Sequence, residues 1–127
     1  MSDFDIFKDL GITAEDMQQV EAREKELAGT RKPTKKYELA IAVEAAIEKL
    51  AKELDGEIQI EHADSLDMVR IIRVEDIALM DGYVFPIFKA IINSVDAFMV
   101  EYDELQPEIL MLWFIIRDVF TYDESAN

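Results

Sequence analysis

Apolar positions recur at spacings of three and four in some stretches of this chain and alternate with polar ones in others. The clearest helical period is Leu39, Val43, Ala46, Ile47, Leu50 and Leu54, one face of a 3.6-residue repeat. It predicts a helix opened by Thr34, running to Asp55 and stopped by Gly56. Glu48 before Lys52 and Lys49 before Glu53 form i,i+4 pairs on its solvent side. Upstream, Phe4, Phe7 and Leu10 suit a short helix over 3–10, capped by Ser2 and ended by Gly11. Thr13 with Asp16 three residues on resembles a capping box and opens a second helix to Ala28. Its apolar stripe is thin (Met17, Val20, Leu27), so an outside position is expected.

After Gly56 the pattern changes. EIQI alternates, and VRIIRV is rich in β-branched residues. Residues 57–61 and 69–75 therefore read as two antiparallel strands joined by HADSLDM. The rival reading of the second segment is a helix capped by Ser65. Residues 76–81 suit a helical turn before Gly82. Pro86 suits the first turn of a helix to about Asp103, with Phe88, Ile91, Ile92, Val95, Phe98, Met99 and Tyr102 as its stripe. Pro107 predicts a last helix to about Phe120. This helix would carry ILMLWFII, residues 109–116, eight apolar side chains in succession.

A helix apolar on every side is a buried one. Two burials fit the run. It is either the central helix of the domain, which is narrowly favoured, or it is shared with a second molecule, since a large contiguous apolar patch marks an interface. The expected fold is α+β and predominantly helical: four to five helices around a buried C-terminal helix, with a small two-stranded antiparallel hairpin. An all-α bundle is the alternative. The 127 residues suit one domain over 1–127, with 121–127 as a frayed tail.

Charge narrows the function. The chain carries −15, with eight acids against Arg117 alone over residues 90–127. Such a chain is repelled by nucleic acid and by anionic membranes, so the expected partner is a protein with a basic surface. A homodimer is the other partner considered. The one basic island, TRKPTKK at 30–36, reads first as a solvated linker and second as a contact for an acidic partner. No cysteine is present, which excludes disulfides and thiolate metal sites and suits a reducing compartment. The first residues, MSDFDIFKDLG, lack the basic and apolar regions of a signal peptide. The apolar run covers about 12 Å as a helix, too short for a bilayer. A cytoplasmic protein is expected.

Catalytic equipment is sparse. His62, the only histidine, sits among Glu61, Asp64, Ser65 and Asp67. A triad packed into so few consecutive residues rarely attains working geometry, because its members normally arrive from separate elements. Asp64 and Asp67 suit at most a weak Ca²⁺ or Mg²⁺ contact. No phosphate-binding glycine motif, EF-hand loop or zinc motif occurs. No enzyme activity, cofactor or metal is therefore expected. Met68, Met80, Met99 and Met111 read as core filler rather than a binding groove.

The resulting expectation is a non-enzymatic acidic interaction protein: an adaptor, assembly chaperone or inhibitor, with the size and composition of a viral or mobile-element accessory protein. Trp113 is its best anchor, since Trp is enriched at interface hot spots. Phe114, Leu110, Phe98 and Tyr102 are further candidates, with Glu101, Asp103, Glu104, Glu108 and Asp118 as an acidic rim. The alternative is an acidic mimic of nucleic acid that blocks a DNA- or RNA-binding enzyme.

Overall fold

The computed structural model describes residues 11–28, 31–61, 65–75 and 84–122. The elements run α1 (Ala14–Ala28), β1 (Arg31–Pro33), α2 (Tyr37–Glu53), β2 (Glu57–Glu61), β3 (Met68–Val74), α3 (Val84–Ser94), β4 (Ala97–Tyr102), β5 (Leu110–Ile116) and β6 (Phe120–Tyr122). The expectations for 3–10 and 76–81 lie outside the described residues, as do His62, Asp64 and Met80.

The predominantly helical expectation is overturned. Among the described residues, three helices and six strands in two sheets make a mixed α/β fold, not a bundle with a small hairpin. The error lies in the C-terminal third. ILMLWFII is not a helix: residues 110–116 form β5, one of the two inner strands of an antiparallel sheet ordered β2-β3-β5-β4. Leu112, Phe114 and Ile116 are fully buried on one face, while Met111, Trp113 and Ile115 stand half-buried on the other. A strand with apolar neighbours on both faces loses its alternation, and its sequence then looks like a buried helix. The helix predicted over 86–103 also divides, because α3 ends at Ser94 and residues 97–102 form the edge strand β4.

The central helix does exist, but it is α2. Eleven of its residues are buried, from Tyr37 to Ala51. Five of these are alanines, so α1 and α3 can pack closely on its flanks. The three helices lie on the inner face of the sheet, where Met68, Ile72, Val74, Leu112, Phe114 and Ile116 join Ile41, Val43, Ile47 and Leu50 in one core. Phe98 sits between Phe88 of α3 and Phe114 of β5, with both centroid separations at 5.3 Å. The expected hairpin forms: Glu57 pairs with Arg73 and Glu61 with Val69.

The local signals at the helix ends hold in part. Thr13 and Asp16 make the reciprocal capping box, with bonds of 3.0 and 3.1 Å. Thr34 does not cap α2 as expected. Lys36 occupies the N-cap without a side-chain cap bond, and the Thr34 hydroxyl lies 3.0 Å from the Val119 carbonyl. That contact ties the segment before α2 to the far end of the chain, where β1 pairs with β6. The basic island is largely consumed here. Arg31 donates to the Ser65 carbonyl and stacks over Phe120, and Lys36 Nζ lies 2.5 Å from Asp96 Oδ2.

At its C-terminus α2 closes in a Schellman arrangement. Gly56 N–H donates to the Ala51 carbonyl at 2.8 Å, Asp55 N–H donates to Lys52, and Asp55 takes a left-handed φ of 52°. A Cβ on Gly56 would stand 2.8 Å from Ile72 Cγ2 and 3.0 Å from the Arg73 carbonyl. Gly56→Ala is therefore expected to lower stability by about 1–3 kcal/mol, the usual scale of overpacking, read as a lower urea midpoint with unchanged slope. An unchanged midpoint would show that α2 and β3 can separate there without loss.

Candidate protein-binding surface

The helices cover one face of the four-stranded sheet. The other face is also apolar at its centre, because β3 and β5 contribute large side chains to both. Directly opposed residues share a face, so the register places Ile71, Trp113 and Met99 in one row, and Val69, Ile115 and Ala97 in the next. Arg73, Met111 and Glu101 form a third row. Glu57, Gln59 and Glu61 of β2 lie along one side of this patch. Val69 and Ile71 are buried, yet neither belongs to the main core. Trp113 lies over the middle, and its indole N–H is shielded from solvent without a hydrogen-bond acceptor.

The residues singled out from sequence are thus dispersed. Trp113 stands at the centre of the outer face. Phe114 points the opposite way and is enclosed in the core, so it cannot touch a partner. Leu110 and Phe98 also belong to the inner face and pack partly against the core. Tyr102 is exposed at the end of β4. Glu101 is exposed on the outer face, and Glu104 and Glu108 are exposed in the β4–β5 loop. Asp103 is half-buried: its Oδ2 meets Arg73 at 3.0 Å, and its Oδ1 accepts the N–H groups of Leu105 and Gln106. Asp118 lies beyond the far end of β5, at a left-handed φ of 58°, where its N–H donates to Asp67. Met99, Met111, Ile71 and Ile115 complete the outer face and were not singled out as binding residues. Their shared parity with Trp113 could have grouped them, but only once the run is read with period two.

A buried charge cluster is the other feature that pattern reading missed. Arg70 projects from β3 into the core with about 3% of its surface exposed. Its Nε lies 2.9 Å from Glu44 Oε1 and 2.7 Å from Oε2, its Nη1 reaches the Val69 carbonyl, and its Nη2 meets Glu24. Arg23 joins from α1, contacting Glu44 at 3.2 Å and Glu48 at 2.6 Å. Burial pushes the Glu44 carboxyl above its ordinary value, with Arg70 and Arg23 opposing and Glu24 adding to the rise. Burial also works against the charge of Arg70, but Glu44 and Glu24 outweigh it and hold the proton on. The Tyr37 hydroxyl, buried and without a partner, is pushed up to about 12 by burial and by Glu21 and Glu24. The signal for this cluster is Glu44 itself, one acid inside the otherwise apolar run LAIAVEAAI. The cluster ties α1 and α2 to β3.

An open groove of about 560 Å³ lies at one end of the sheet, lined by Leu54, Asp55, Glu57, Arg73, Gln106 and Ile109 among others. Among its described lining residues, none is a nucleophile beside a base. Among the described residues, no three acid or histidine side chains are grouped to hold a metal ion, and no helix is long and apolar enough to cross a membrane. No family model matches the chain, and no characterised protein or solved structure matches it either.

Proposed function

We propose that this protein is a non-enzymatic acidic interaction protein, an adaptor, assembly chaperone or inhibitor that occupies the surface of a basic partner in the cytoplasm. The observation that carries this reading is the outer face of the sheet. An apolar centre of Ile71, Trp113, Met99 and Ile115, rimmed by Glu57, Glu61 and Glu101, has the anatomy of an interface core with a charged border. The chain's −15 favours encounter with a basic surface and disfavours nucleic acid.

The test is retention of a basic protein from extract by the immobilised full chain. Trp113→Glu is expected to weaken retention by about thirtyfold or more, equivalent to a hot-spot loss of ~2 kcal/mol. Met99→Glu alters the same face at an exposed position and should do likewise without disturbing the fold. Lys52→Glu, on exposed helix surface, should leave retention unchanged. Retention equal in all four proteins would remove the outer face from the contact.

A further inference from the structure

The two edges of the four-stranded sheet are built differently. The edge strand β2, EIQIE, carries a polar or charged residue at every other position. The opposite edge, β4, reads AFMVEY, with Glu101 as its one charge and no proline or lysine. Solvent-facing edges are usually blunted by such residues, because their open N–H and C=O groups invite another strand. Asp103 N–H donates to the Ile109 carbonyl at 3.0 Å, in phase with the Tyr102–Leu110 register. That phase turns the peptide groups of residues 97, 99 and 101 towards β5. Those of Phe98, Val100 and Tyr102 point away from the sheet. No described strand pairs with that side. Val100 is 49% exposed, Tyr102 69% and Leu105 92%.

The side chains along this edge divide by face. Phe98, Val100 and Tyr102 lie on the inner side and are all apolar or aromatic. On the outer side stand Met99, Glu101 and Asp103, with Glu104 and Glu108 in the loop beyond. Glu101, Glu104 and Glu108 make no ion pair with any described residue. We propose that β4 is a docking edge: an extended segment of a basic partner adds to it as a fifth strand, with apolar side chains beside Phe98, Val100 and Tyr102 and lysine or arginine beside the exposed Glu101 and Glu104. This inference rests on the interaction reading above and gives that partner a conformation and a residue pattern. Main-chain bonds supply the pairing, and the alternation supplies the selectivity. A second copy of the chain is a poorer occupant, since it brings another −15, with its own Glu101, Glu104 and Glu108, to the same edge.

The probe is a blocked ten-residue peptide of alternating valine and lysine, added to the isotope-labelled full chain, with a valine–glutamate peptide as control. The valine–lysine peptide is expected to slow amide exchange at Phe98, Val100 and Tyr102 at least tenfold, and the control to leave it unchanged. Val100→Pro removes an outward donor that β5 does not use, a substitution an edge strand tolerates, and should weaken peptide binding at least tenfold. Val100→Lys replaces it if the proline variant unfolds, and should repel the peptide to a similar degree. Protection that rises with protein concentration alone would assign the edge to a second copy and overturn the proposal. Equal protection by both peptides would overturn its charge selectivity. Peptide shifts confined to the Trp113 indole would overturn the edge and leave the outer-face reading standing. Retention from extract decides that reading separately.

Discussion

Arg70→Met is expected to destabilise the protein by about 3–5 kcal/mol at neutral pH, because it leaves Glu24 and Glu44 buried without their shared counter-charge. The sign of the pH dependence distinguishes this from a packing defect. In the variant Glu44, already raised by burial, loses the opposing pull of Arg70. Its folded value exceeds its unfolded one, so the folded state binds more protons. Stability is present in full below the ordinary carboxylate range and is lost as pH rises through the raised value of Glu44. Urea midpoints for Arg70→Met should therefore recover on acidification from pH 7 towards 5. Replacing Arg70, Glu24 and Glu44 together by apolar residues of similar size should cost far less than the single change, because no charge is then stranded. An Arg70→Met midpoint within about 1 kcal/mol of the parent would show that water reaches the cluster.

Phe114→Ala should cost about 3–5 kcal/mol, the scale of an aromatic ring removed from a closed core. Phe114 is fully buried, touches Phe98 and sits opposite Arg70 across the β3–β5 pair. Its neighbours supply the control. Ile115→Ala, one residue on and only half-buried, should lose markedly less, and Ile116→Ala should again lose more. Costs measured by urea denaturation over 111–116 should thus rise and fall with period two. A cost that instead peaks every third or fourth residue would restore the helical reading of this run.

That alternation explains how much of the fold was legible beforehand. Thr13 and Asp16 announce α1 because a capping box is chemistry between residues three apart, needing nothing from the rest of the chain. The 57–61 and 68–74 strands show themselves through polar residues at the edge strand and β-branched ones in its partner. β5 conceals itself for the opposite reason. It lies between two strands, has apolar company above and below, and contains no polar residue to mark its period. β4 reads as a continuation of the preceding helix because Val95, Phe98, Met99 and Tyr102 keep helical spacing, although the last three serve two faces of a sheet. Trp113 stands on the outer face of the sheet, where the candidate surface lies. Phe114 does not, because adjacent residues of a strand face opposite ways.

The strand order also constrains how the chain is made. β5 is the element that β3 and β4 both pair with, and it emerges after either of them. Until it arrives, a growing chain holds one hairpin and a separate apolar strand that cannot meet. Synthesis halted between residues 102 and 110 would yield a product with two unpaired greasy borders and no means of joining them. Such fragments should collect as insoluble material rather than as smaller folded forms.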